Sequence, residues 1–334
     1  MILVTGATGH IGNVLVRELV AKGEWVRALV LEDEDRTALE GLAVEQVEGN
    51  VLDLESLRRA CEAVDMVYHL AGVISIMPGK NDWVRRVNVE GTQNVIQVAR
   101  EKGVRRLVYT SSIHALRRVP HGVIIDETIP FDPDHAISAY DQSKAQASLE
   151  VLCAVQQGLD AVIICPTGVI GPYDYRVSEM GRIILDAIEE KPLFYLDGMY
   201  DFVDVRDVAL GMILAGEKGR TGESYILSGQ QLRVIELIDI IQQETGKQLK
   251  PWYVPLVLAQ FFSLFTPLYY RLTRQKPRLT SYSLKTLQSN SKISHAKAKR
   301  ELGYAPRALK QSVVDSIHWF LTMRKRINLS PSGI

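Results

Sequence analysis

Cysteine is scarce: Cys61, Cys153 and Cys165 are the only three in 334 residues, and no two share a short spacing. That excludes a disulfide framework or a cysteine zinc cluster and fits a reducing, cytoplasmic setting. His121 and His135 are not spaced from other ligands as a metal site requires, so no metal is expected. No basic leader precedes the apolar run after Met1, so no secretory signal is read. Collagen-like periodicity, low complexity and the apolar-poor composition of disordered chains are all missing. The length suits one large domain or two intimately joined ones.

Acidic residues nearly vanish toward the end. From Lys247 onward only Glu301 and Asp315 accompany sixteen Lys and Arg, whereas the first 246 residues hold 37 acidic and 23 basic. The formal net charge of zero is thus an average of two unlike parts. Either the two signs face each other in the fold, or the basic part is a functional surface. No nucleic-acid-binding module accompanies it, so no nucleic-acid partner is expected. Residues 251–270 lack charge altogether and include three prolines and seven aromatics. They are long enough to span a membrane, but Pro255 and Pro267 interrupt them. A buried or lid-like helical hairpin is the favoured expectation. Peripheral membrane contact through 251–278, helped by Arg271, Arg274, Lys276 and Arg278, stays open.

What is present in the first half is alternation. Strand-like runs at 2–5, 26–31, 44–47, 66–70, 107–111 and 161–165 are separated by helical patterns at 11–22, 54–61, 84–102 and 143–157. Near-continuous apolar strands between helices argue for α/β architecture, a doubly wound parallel sheet. Further strands are expected at 202–205 and 224–227, and a helix at 234–245 ended by Gly246. The expected division is a dinucleotide-binding domain over 1–165, with 202–229 returning to it. A smaller, mostly helical substrate-binding region takes 166–201 and 230–334.

Between the first strand and first helix stands Thr5-Gly6-Ala7-Thr8-Gly9-His10-Ile11-Gly12. Glycines permit a tight turn and close approach of backbone N–H groups to a pyrophosphate, which the helix N-terminus also favours. Gly6, Thr8, Gly9, His10, Ile11 and Gly12 are therefore cofactor-binding candidates. Glu32, Asp33, Glu34 and Asp35 follow the second strand, and carboxylates there select a free ribose 2′-OH. NAD is favoured over NADP, although Arg27 and Arg36 keep NADP open.

Tyr140 and Lys144 lie one helical turn apart, at the sheet edge where doubly wound folds bind ligands. Ser111 and Ser112 reach the same edge. A phenol with an ordinary pKa of about 10 is a poor catalyst at neutral pH. Lys144 and a cationic nicotinamide would lower it, while Ser112 would hold the substrate oxygen. His114, close behind, either touches substrate or is an ordinary loop histidine. Asp126 and Glu127 are either an acid pair or, more simply, turn formers.

These residues resemble the extended short-chain dehydrogenases/reductases. The glycine turn, Leu70-Ala71-Gly72, Asn88-Val89-Glu90-Gly91-Thr92, the Ser–Tyr–Lys set, Cys165-Pro166, Val169-Ile170-Gly171-Pro172, 201–209 and Arg300-Glu301-Leu302-Gly303-Tyr304 fall in that family's order. The resemblance implies catalysis by Ser112, Tyr140 and Lys144, with Lys144 also holding the nicotinamide ribose. It implies that Asn50 and Val51 border the adenine, with Asn50 replacing a usual aspartate. Leu70, Ala71, Gly72, Asn88, Pro166 and Val169 complete the cofactor site by the same resemblance, which also implies a homodimer. Ile113-His114-Ala115 stands where dehydratases carry an Asp-Glu pair, and Tyr200 where nucleotide-sugar enzymes carry arginine. The segment 202–209 is similar to the dihydroflavonol reductase and 3β-hydroxysteroid dehydrogenase branch. The expectation is an NAD(P)-dependent oxidoreductase interconverting an apolar secondary alcohol and ketone. A nucleotide-sugar epimerase and a non-catalytic nucleotide-binding protein are the alternatives.

Overall fold

Short β-branched runs with both faces covered become strands of one parallel sheet in the computed structural model. The structure describes residues 1–74, 81–263, 284, 286 and 288–329. The first half runs β1 (Ile2–Thr5), α1 (His10–Ala21), β2 (Val26–Val30), β3 (Glu45–Glu48), α2 (Leu54–Ala60) and β4 (Met66–His69). It continues through α3 (Asn81–Arg85), a π-helical turn (Arg86–Glu90), α4 (Gly91–Glu101), β5 (Arg106–Thr110), α5 (Ala139–Gln156) and β6 (Ala161–Pro166). Every side chain of β1, β4 and β6 is buried, as a doubly covered strand demands.

Two boundaries depart from expectation for identifiable reasons. The helical pattern read over 143–157 starts at Ala139, because the Ser138 hydroxyl accepts the Asp141 N–H at 3.0 Å and caps the helix. The Ser-x-x-acid spacing was the available signal. The helix read over 84–102 begins at Asn81 and is broken by the π-helical turn, which periodicity does not reveal.

The second half runs β7 (Gly168–Ile170), α6 (Glu179–Ile188), β8 (Phe194–Tyr195), β9 (Met199–Asp204), α7 (Val205–Lys218), β10 (Ser224–Leu227) and β11 (Gln230–Arg233). Then follow α8 (Val234–Thr245), β12 (Trp252–Tyr253), α9 (Leu256–Ser263), α10 (Ala296–Leu302) and α11 (Leu309–Leu329). The main sheet has the order β10-β6-β5-β4-β1-β2-β3, so β10 returns to it beside β6. β7, β9 and β11 form a small second sheet, and β8 pairs with β12.

Two apolar clusters cover the main sheet. One joins α1 and α7 through Val14, Leu15, Val208 and Met212; the other joins α2, α4 and α5 through Leu57, Val95, Val98 and Val151. A third, with Ile184, Leu237, Ile241, Val313 and Ile317, knits α6, α8 and α11 into a helical lobe. Part of the charge asymmetry is settled across these units. Lys247 pairs with Glu190 at 2.7 Å, Lys297 with Glu223 at 2.5 Å and Arg307 with Asp207 at 2.9 Å. The uncharged 251–270 segment is only partly described, as β12 and α9. Among the described residues no helix is long and apolar enough to cross a membrane.

Candidate active site

The glycine turn links β1 to α1 at the carboxyl edge of the sheet. Gly6 has φ +70°, and a Cβ there would stand 2.7 Å from the Ala71 backbone nitrogen. A Cβ on Gly12 would fall 2.1 Å from the Gly6 carbonyl oxygen. Only glycine allows the turn to lie this close to the end of β4 and to its own helix. Gly9 is different: its Cβ direction meets only the Gly6 oxygen, at 3.2 Å, and otherwise faces open space. The turn is therefore a cradle with its backbone accessible and a helix N-terminus behind it, which fits a dinucleotide pyrophosphate. Ile11 is half-buried at the start of α1, and His10 Nε2 lies 2.9 Å from the Pro172 oxygen, beyond β7.

Thr8 is buried, and its hydroxyl accepts from Arg176 at 2.7 Å. The same guanidinium bonds the Glu34 carboxylate, which also accepts the Leu31 N–H at 3.2 Å. Arg176 thus ties the glycine turn to the tip of β2. Nothing in the sequence signalled it, because it sits on a loop 168 residues from Thr8. Arg36, the other cation at that tip, is engaged with Glu48 at 2.5 Å.

At the adenine side, Asn50 is a turn former. Its Oδ1 accepts the Leu52 N–H at 2.9 Å, and Ser56 Oγ accepts its own N–H at 3.0 Å. Val51 is buried, and its carbonyl accepts from Asn94 at 2.9 Å. Asn88 stands in the π-helical turn with its side chain fully committed. Oδ1 accepts the Val73 N–H at 2.7 Å, and Nδ2 donates to the Val73 oxygen at 3.0 Å and to Ser143 Oγ at 2.9 Å. Leu70 and Ala71 continue from β4, and the Gly72 Cβ direction lies 3.1 Å from Asn88 Oδ1 and 3.5 Å from Lys144 Nζ. Residues far apart in sequence thus converge on one edge. Pro166 ends β6 and Val169 lies in β7, at that edge.

A buried chain of hydrogen bonds underlies this edge, and sequence reading missed it. Thr5 Oγ1 lies 2.7 Å from His69 Nδ1, His69 Nε2 lies 3.0 Å from Thr92 Oγ1, and Thr92 donates to the Asn88 oxygen at 2.7 Å. Because Thr92 spends its proton on Asn88, His69 donates from Nε2 and accepts at Nδ1. Burial pulls the His69 pKa down to about 3, so the ring is neutral.

Ser112, Tyr140 and Lys144 are all buried at the next edge position. Ser143 donates to the Tyr140 carbonyl at 2.8 Å and accepts from Asn88, joining α5 to the π-helical turn. Burial pushes the Tyr140 phenol up to about 12, with Asp141 adding to the rise and a contact from Ser112 opposing it. Lys144 Nζ donates to the Thr110 carbonyl at 2.6 Å, and burial draws its pKa down to about 8.

His114 is engaged with Tyr200. Its Nε2 stands 2.5 Å from Tyr200 Oη, with the rings stacked at a centroid separation of 6.0 Å. Both residues line a cavity of about 400 Å³ with Ile113, Leu116, Ile125 and Ile293. Asp126 and Glu127 are not an acid pair: Asp126 accepts from Thr128 at 3.0 Å, while Glu127 accepts the Ile226 N–H at 2.8 Å.

A parallel doubly wound sheet, a glycine turn at its edge and a buried Ser–Tyr–Lys set define an NAD(P)-dependent short-chain dehydrogenase/reductase, an enzyme acting on hydroxyl or keto groups. Residues 2–228 match the NAD dependent epimerase/dehydratase family, and the chain belongs to that family. It is similar to the sterol demethylase protein B of Methylococcus capsulatus, 37% identical over 322 residues that cover 95% of this chain and 97% of that protein. A putative dihydroflavonol 4-reductase of Synechocystis is 32% identical, over 95% of this chain and 93% of its own. The crystal structure of gox2253 superposes with a TM-score of 0.85 at 33% identity, covering 97% and 98% of the two chains.

Proposed function

We propose that this enzyme interconverts a secondary alcohol and a ketone on a largely apolar, polycyclic substrate, of the dihydroflavonol or 3β-hydroxysteroid kind. The observation that carries the reading is the buried Ser112, Tyr140 and Lys144. Directly after Ser112, Ile113 lines a cavity of mixed character, in which Leu116, Ile125, Ile137 and Ile293 stand with Arg117, Arg118, His121 and Asn290. Relatives named for sterol and dihydroflavonol chemistry support the same choice.

When bound, the nicotinamide supplies or accepts the hydride. This chain's residues manage the proton and the geometry. Burial keeps Tyr140 protonated at neutral pH, so its Oη donates to the oxygen that gains charge during reduction. Ser112 holds that oxygen near the phenol. Lys144, anchored on Thr110 and close to Gly72 and Asn88, is the residue to hold the nicotinamide ribose. Gly6, Gly9, Gly12 and Thr8 hold the pyrophosphate, and Val51 with the Asn50 backbone borders the adenine.

NAD is the preferred cofactor in this reading. Glu34, held by Arg176, places a carboxylate at the tip of β2, and Arg36 is paired with Glu48. The homodimer implied by the family resemblance belongs to the same reading, and light scattering tests it.

The deciding experiment is a spectrophotometric screen of hydroxysteroids, flavonoids and small ketones with NADH and NADPH. Sustained oxidation of added NADH by a polycyclic ketone is expected. Conversion of a nucleotide sugar with no net change in cofactor would overturn the reading in favour of epimerisation.

A further inference from the structure

Lys144 is a buried cation with no anion beside it. It is 5% exposed, and among the described residues no carboxylate pairs with its ammonium. The ionisable groups around it are Tyr140 one turn earlier on α5, Tyr109 on β5, Cys165 on β6 and His69 on β4. Burial raises both phenols, pushes the Cys165 thiol up to about 12 and pulls His69 down to about 3. All four are therefore neutral near pH 7. An ammonium withdrawn from water without a counter-charge sheds its proton unless other groups offset the lost hydration.

Two groups of β5 supply that offset. The Thr110 carbonyl accepts from Nζ at 2.6 Å, and Nζ stands over the Tyr109 ring, 5.0 Å from its centre. The negative face of an aromatic ring attracts a cation within about 6 Å of its centre, most strongly where water is excluded. Tyr109 is 1% exposed, and its ring lies beside that of His69 with 5.7 Å between centres. An aliphatic side chain at this strand position would also pack, but it has no negative face to set against the charge. Gly72, whose Cβ direction lies 3.5 Å from Nζ, leaves room beside the ammonium at the cofactor edge.

We infer that Tyr109 is a positioning residue, whose ring face acts with the Thr110 carbonyl to keep Lys144 protonated and aimed at the nicotinamide ribose. A neutral lysine would lose the charge-assisted hydrogen bonds that a ribose hydroxyl accepts from an ammonium. The electron density of the ring carries this effect, and the Tyr109 hydroxyl has no part in it. The inference rests on the reading that Lys144 holds that ribose, and not on which ketone the enzyme takes.

The test changes the electron density of the ring while keeping its shape. Tyr109→Phe retains the face, and mono-, di- and trifluorinated phenylalanine introduced at the same position drain it in steps. NADH affinity is followed by fluorescence titration of the full-length protein across the alkaline range in which Lys144 loses its proton. Wild type and Tyr109→Phe should share one midpoint. Fluorination should lower that midpoint stepwise, by about one pH unit for the trifluorinated ring, a tenfold loss of Lys144 proton affinity. Lys144→Met has no ammonium and should show no such midpoint. A midpoint indifferent to fluorination, or one that moves as far in Tyr109→Phe as in the trifluorinated protein, would overturn the inference. A midpoint that persists in Lys144→Met would instead take Lys144 out of the ribose site, and the inference would fall with that reading.

Discussion

Tyr200 Oη and His114 Nε2 lie 2.5 Å apart, joining the loop behind Ser112 to the strand β9 of the small sheet. Burial lowers the His114 pKa, with Arg118 adding to the fall and Asp141 opposing it. The couple is therefore neutral and sits on the cavity wall, apart from Ser112, Tyr140 and Lys144. Tyr200→Phe removes one hydrogen-bonding oxygen and keeps the ring. We expect kcat/KM for the cognate ketone to fall by about tenfold, carried by KM, as loss of one hydrogen bond suggests. Steady-state kinetics decide it; an unchanged KM would place the couple outside substrate contact.

Tyr140 is assigned the proton. Tyr140→Phe should reduce kcat by about 10²- to 10⁴-fold, the usual range for general acid–base catalysis. Cofactor affinity, measured by NADH fluorescence titration, should stay within about twofold of wild type, because the phenol acts on substrate. Undiminished turnover would remove Tyr140 from the mechanism.

Arg176 and Glu34 should govern the adenosine end of the cofactor. Glu34→Gln deletes a negative charge where a 2′-phosphate would approach. The NADPH-to-NADH affinity ratio is expected to rise by about tenfold, a change of about 1.4 kcal/mol. Arg176→Ala should weaken NADH binding by removing the bond that holds Thr8 and orients Glu34. Direct titration with both cofactors measures each outcome, independent of substrate.

His69 makes the fold acid-sensitive. Its folded pKa of about 3 lies below the ordinary 6.5, so the unfolded chain binds more protons between those values. Stability therefore falls as pH drops below about 6.5, by on the order of 1.4 kcal/mol per pH unit from this group. Urea unfolding from pH 7 to pH 4 should show a steeper loss for wild type than for His69→Gln, which cannot titrate. Parallel slopes would refute the assignment.

Much of this was legible in the amino-acid order. The alternation of apolar strands and helices located the parallel sheet, and the glycine spacing located the cradle, because both are local properties of the backbone. Tyr140 and Lys144 share a helix face by simple periodicity. Tertiary structure decided what depends on groups brought together from distant segments. The meeting of His114 with Tyr200, the reach of Arg176 from Thr8 to Glu34, and the Thr5–His69–Thr92–Asn88 chain have no local spacing to betray them. The same holds for proton affinity: whether Lys144 lowers Tyr140 or turns to Thr110, and how far burial raises the phenol, follows from packing rather than from residue order. The basic tail, too, was visible as composition, but only the fold showed which of its charges meet acidic partners.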